Sequence, residues 1–189
     1  MPARVDHDAR RREIAEALWR VLARDGFGGL SLRAVAAEMG ATTGLVTHYF
    51  GSRAELIDHA LELLHARTDA SLGEADVPLG RASLRTRLLA VLPNTGEAAE
   101  LSRIWVGFWG LALVDAGLSA REAARYERWR AWLRPHVAAG WPEADVETSV
   151  DLLTSSTHGL VVQALFDPDR FGPERLEALV DAQLARLGG

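Results

Sequence analysis

The chain has 189 residues, 48% of them hydrophobic, and no cysteine. That supports one compact core with at most a small attached module, and excludes disulfides, thiolate metal sites and cysteine nucleophiles. The formal net charge is −5 with 21 basic residues, all arginine, and most of the acidity falls beyond Leu72, which confines any nucleic-acid contact to a patch near the N-terminus.

Charges interrupt the apolar positions of the opening residues, so they do not read as a secretion signal. The longest apolar run, IWVGFWGLALV, is about half of the ~20 residues that span a bilayer, and the expected location is cytoplasmic. Apolar residues recur at helical spacing along nearly the whole chain, which predicts an all-α fold of about nine helices. The first carries Ile14, Leu18, Val21 and Leu22 inward, with Asp8 as its cap and Gly26 as its stop. Ser31 caps a second, two-turn helix with Leu32, Val35, Ala36 and Met39 on one stripe and Gly40 at its end. A third begins at Thr42 or Thr43 and turns Val46 and Phe50 inward. Ser52 and Glu55 form a capping box that opens a long fourth helix with Leu56, Ile57, Ala60, Leu61 and Leu64.

Beyond the connector GEADVPLG at 73–80, Leu84, Leu88, Val91 and Leu92 mark a helix ended by Pro93. The next, from about Glu97 to Asp115, is apolar nearly all round and is expected to be central and buried. A second capping box, Ser119 with Glu122, opens a helix bearing Tyr126, Trp129, Leu133 and Val137. Residues 143–166 form another, and Pro173 starts the last, which carries Leu176, Leu179, Val180, Leu184 and Leu187.

Two short helices joined at Gly40 have the layout of a helix-turn-helix, whose second helix enters the major groove. With Val46 inward at ~100° per residue, Gly44, Leu45, Thr47 and His48 turn away from the core. Thr47 and His48 can hydrogen-bond base edges, Leu45 can pack on a thymine methyl, and Gly44 lets the backbone approach closely. Thr42 and Tyr49 are placed for phosphates, as is Arg53 at a helix N-terminus. Spacing alone leaves an ordinary solvent-facing helix open.

The stretch GFGGLSLRAVAAEMGATTGLVTHYFGSRAELIDHAL resembles the DNA-binding domain of the TetR family of bacterial transcriptional regulators. Its Gly-Phe turn, Gly40-Ala-Thr turn, His48-Tyr49-Phe50 triplet and Ser52 followed by a cation carry the likeness, with Arg53 where lysine is usual. The resemblance implies a helix-turn-helix domain over 1–52 reading double-stranded operator DNA through Thr42, Thr43, Gly44, Leu45, Thr47, His48, Tyr49 and Arg53. It further implies an effector-binding and dimerisation domain over 53–189, a palindromic operator, and repression relieved when an effector shifts the fourth helix. No cofactor, metal or catalytic residue is expected.

Trp105, Phe108 and Trp109 sit at i, i+3 and i+4 beside Gly107 and Gly110, a pattern that serves either ordinary core or a ligand wall. The expected effector pocket joins these three to Trp129, His158, Val161 and Val162. His158 also reads as a hydrogen-bonded interior histidine. IWVGFW, the arginines 125, 128 and 130, and HGLVVQALFDPDRFGPERLEALV are similar, less closely, to the choline-responsive repressors of betaine synthesis within the family. That likeness implies an aromatic cage for a quaternary ammonium. His158 and Val161 stand where that group tends to have an acidic residue and a tryptophan, so the ligand is not carried over. The expected dimer face is Leu153, Ser156, Leu160, Leu165, Leu176, Leu179, Val180 and Leu184 on the last two helices.

Two rival classes are a helical effector-binding dimer without DNA binding, and a bundle enzyme built on the Glu62-x-x-His65 spacing. The enzyme lacks the second copy of that spacing that a di-iron site needs.

Overall fold

A computed structural model describes residues 2–73 and 77–187, so residues 74–76 of the expected connector lie outside the described residues, as does the side chain of Asp8. Among the described residues there are nine helices and no strand: α1 Pro2–Gly29, α2 Leu32–Glu38, α3 Thr43–Tyr49, α4 Arg53–Leu72, α5 Arg81–Ala90, α6 Gly96–Ala112, α7 Ala116–Gly140, α8 Val146–Phe166 and α9 Pro173–Arg186. No helix among them is long and apolar enough to cross a membrane. They form two compact units, Met1–Thr68 with Arg103–Leu111, and Asp69–Ser102 with Ala112–Gly189.

In the first unit α1 is already helical before Asp8, so Asp8 does not start it. Gly26 breaks the helix at φ 64°, ψ −171°, a backbone region essentially open to glycine alone, and the kink turns Phe27 into the core. Ser31 caps α2 as expected, accepting from Ala34 N at 3.1 Å, and Gly40 closes the turn at φ 62°. Ser52 caps α4 as expected, its Oγ accepting from Glu55 N at 3.2 Å, while the Glu55 carboxylate reaches one residue past the cap and accepts from Gly51 N at 3.0 Å. Leu56, Ile57, Ala60, Leu61 and Leu64 of α4 are all buried. Val46 is buried too, but Phe50 departs from expectation. It is the C-cap of α3, half-buried, with its ring 5.2 Å from His59, because the backbone has already left the helical region at φ −132°, ψ 107°.

Two expectations for the second half are corrected. α6 is not buried all round: Ser102, Ile104, Trp105, Phe108 and Ala112 are buried, while Arg103, Gly107 and Gly110 are exposed. The glycines fit an apolar pattern but have no side chain to bury. Nor does Ser119 open α7. Asp115 does, accepting from Leu118 N at 3.0 Å, because α6 stops at Ala112 and leaves Asp115 extended at the cap. Asp145 similarly starts α8 a few residues later than expected.

In the second unit α5 packs against both α7 and α9, and α8 packs against α7. Arg85 of α5 reaches Glu177 and Asp181 of α9. Leu84, Leu88, Leu133, Val137, Val150, Leu176 and Val180 are all buried.

Candidate nucleic-acid interface and effector-side residues

α3 has one buried side chain, Val46. Thr42, Thr43, Gly44, Thr47 and His48 are exposed, and Leu45 and Tyr49 are half-buried at the edges. The short helix therefore rests on one apolar peg and holds a small, polar face outward. Thr42 is the N-cap residue but makes no side-chain cap bond. Thr47 Oγ1 donates back to Thr43 O at 2.8 Å, so in this rotamer its proton is used and its oxygen is left as an acceptor, suited to an adenine or cytosine amino group. His48 and Tyr49 meet edge to face at 5.3 Å.

Arg53 has a role that local pattern did not reveal. Its Nε donates to Leu30 O at 3.2 Å and its Nη2 to Phe27 O at 3.3 Å, so the guanidinium braces the α1–α2 turn against the start of α4. The residue as a whole stays exposed beside the face of α3. On α1, Arg20 and Arg24 hold Glu38 of α2 at 2.7 Å each, which keeps that carboxyl below its usual range.

The expected pocket residues divide between the units. Trp105 and Phe108 are core of the first. Trp105 Nε1 donates to Thr68 Oγ1 at 2.8 Å, and Thr68 donates on to Leu64 O at 2.8 Å. Its ring stacks on His65 at 5.5 Å, and Phe108 meets Trp105 at 5.7 Å and Phe27 at 5.4 Å. Trp109 is half-buried beside them in sequence.

Trp129, His158, Val161 and Val162 belong to the second unit. Trp129 stacks on Trp132 at 6.2 Å, Trp132 stacks on His136 at 4.0 Å, and Arg87 lies over Trp132 at 4.3 Å. Val161 is buried and Val162 half-buried. His158 meets Tyr126 edge-on at 5.1 Å. Burial, together with the charges of Arg125 and Arg130, pushes the His158 pKa down to about 4. A depressed histidine pKa means that the unfolded chain binds the proton more readily. Its stabilising contribution is complete above pH 6.5 and is lost as pH falls towards 4, by about 3 kcal/mol. Urea midpoints at pH 7 and pH 4.5 check this: the drop on acidification should be smaller for His158→Gln than for the parent.

Of the expected dimer residues, Leu153, Leu176, Val180 and Leu184 are buried within the chain's own core, while Ser156, Leu160, Leu165 and Leu179 are half-buried. A different α8 stripe faces outward, running through Leu152, Ser155, Gly159, Gln163 and Phe166, with Leu152 61% and Phe166 85% exposed.

Comparison with known proteins accounts for both halves. Residues 14–60 match the profile of the bacterial regulatory proteins of the tetR family, and residues 80–189 match that of the BetI-type transcriptional repressor C-terminal domain. The regulator PksA of Bacillus subtilis is 27% identical over 95% of this chain and 90% of its own length. BetI of Burkholderia ambifaria is 27% identical over 85% of this chain and 84% of its own. A transcriptional regulator from Rhodococcus sp. Rha1 superposes with a TM-score of 0.82 at 27% identity, covering 93% of this chain and 94% of that one. At 22% identity, a regulator from Saccharomonospora viridis solved in complex with choline shares the fold, with a TM-score of 0.75 over 93% of this chain and 95% of its own. With one profile covering residues 14–60 and the other more than half of the chain, the protein belongs to the TetR family of bacterial transcriptional regulators.

Proposed function

We propose that the protein is a cytoplasmic repressor that binds a palindromic operator as a homodimer and releases it when a small molecule occupies the C-terminal unit. The observation that carries the DNA reading is the outward face of α3, where Thr42, Thr43, Gly44, Thr47 and His48 are exposed around a single buried Val46. Thr47 and His48 read base edges, and Leu45 packs on a thymine methyl. Thr42, Thr43 and Tyr49 contact phosphates, and Arg53 adds positive charge beside them while bracing the turn. Two such heads about one DNA turn apart, ~34 Å, recognise a palindrome.

Operator fragments selected from random duplexes test this. Thr47→Ala should change preference at particular base pairs, with each affected pair shifting by ~1–3 kcal/mol, whereas phosphate contacts weaken all sequences alike. Affinity should also fall steeply as salt rises. Uniform loss across all sequences for Thr47→Ala would remove the base-reading assignment.

The exposed α8 stripe supports dimerisation. Small residues at Ser155 and Gly159 allow close helix approach between the apolar ends Leu152 and Phe166, and a two-fold axis would pair the stripe with itself. Phe166→Glu together with Gly159→Arg should yield monomer by light scattering at concentrations where the parent is dimeric. Effector binding is assigned to the α7–α8 side of the second unit, because Trp105 and Phe108 are already packed into the core of the first.

A further inference from the structure

The chemical class of the effector is open in this reading, and the contact between α7 and α8 bears on it. The two helices run antiparallel in a register fixed by Arg134 on Glu147 at 2.7 Å, Arg130 on Asp151 at 2.9 Å and Tyr126 against His158 at 5.1 Å. Those pairs set Trp129 opposite the turn 152–155 of α8, which includes Thr154. Each has a buried polar atom without a hydrogen-bond partner, Nε1 of Trp129 and Oγ1 of Thr154. Thr154 is only 4% exposed. On the same helix Thr157 satisfies its hydroxyl by donating to Leu153 O at 2.7 Å, so the backbone offers a partner that Thr154 does not take. An indole N–H is a donor only, and its demand is met by an acceptor.

The charges around this pair are mixed but include two cations. Arg125, one turn before Trp129, is half-buried and is influenced by Glu122 and Asp69 as well as Arg128. Arg130 lies 5.9 Å from the Tyr126 ring. His158, beside them, is neutral at ordinary pH and adds no further positive charge.

We infer that Trp129 and Thr154 form the head-group site for a small carboxylate effector, whose oxygens accept from Trp129 Nε1 and Thr154 Oγ1 while Arg125 supplies the charge. This rests on the effector reading above and specifies its ligand. A quaternary ammonium group itself offers no acceptor to the indole and gains nothing from Arg125, whereas Arg130 is already paired with Asp151. A neutral amide satisfies the donors but gains nothing from the arginines.

The test is a titration of the full chain with straight-chain monocarboxylates from acetate to octanoate and with benzoate, each beside its amide, and with choline. Tryptophan emission reports binding, and release of a selected operator fragment is followed in parallel. At least one carboxylate should saturate, bind about 10-fold or more tighter than its amide, and release the operator. Trp129→Phe and Thr154→Val, both confirmed folded by circular dichroism, should each weaken that carboxylate about 10-fold. The inference fails if no carboxylate binds, if an amide or choline binds as tightly, or if both substitutions leave carboxylate affinity unchanged. Should choline release the operator where carboxylates do not, the effector-responsive repressor stands and the carboxylate class falls. A protein that holds no duplex at all overturns the repressor reading instead.

Discussion

Phe108→Ala is expected to destabilise the first unit by about 3–5 kcal/mol, a large share of what holds a domain of this size together. The side chain is fully buried and packs against Phe27 at 5.4 Å and Trp105 at 5.7 Å, so truncation leaves a cavity between two rings that cannot both move in. Phe27 is held from the other side: its carbonyl accepts from Arg53 Nη2 at 3.3 Å and from Leu30 N at 3.4 Å, and Gly26 fixes its approach. Collapse into the cavity would have to break those bonds. The same stretch of α6 meets the far end of α4 through the Trp105 bond to Thr68. Two residues of α6 therefore act on α4 near both of its termini, one directly and one through Phe27 and Arg53. Urea denaturation of Phe108→Ala and Phe108→Leu checks this, with the leucine variant expected to lose much less. A loss below about 1 kcal/mol for alanine would mean that the unit repacks freely and that this contact does not couple α6 to α4.

What the sequence made legible follows the range of the interactions. Ser31 and the pair Ser52 and Glu55 bond within a turn of their own positions, so residue type and spacing were enough to place them. The outward face of α3 and its buried Val46 were legible for the same reason, but the departure of Phe50 at the C-cap was not. Asp115 and Ser119 are both competent caps, and the choice between them depends on where α6 stops, a matter settled by packing. The stripe on α9 correctly showed an apolar face, but periodicity does not say whether that face meets its own chain or another. Leu176, Val180 and Leu184 went to the chain's own core. Arg53 reaches carbonyls 23 and 26 residues away in sequence, and Trp105 reaches Thr68 across 37, separations at which no local pattern carries a signal.

Gly44→Glu should separate stability from DNA binding more sharply than any other single change. Gly44 is exposed, its φ is ordinary for a helix, and a Cβ added there would come no nearer to another residue than 3.9 Å from Thr42 Oγ1. Replacing glycine within a helix recovers about 1 kcal/mol of helix propensity, and an acidic side chain in the first turn interacts favourably with the helix dipole. The melting temperature should therefore hold or rise. Operator affinity should fall by roughly 1000-fold, because each half of the dimer would push a carboxylate towards the negatively charged groove at the point where the backbone must come closest. Gly44→Ala adds bulk without charge and should fall between the two. Fluorescence anisotropy with a selected operator at fixed salt reads the affinity, and calorimetry reads the stability. If the glutamate variant is folded and still holds the operator within about 10-fold of the parent, the outward face of α3 does not lie against DNA, because a like charge at a groove contact costs several kcal/mol.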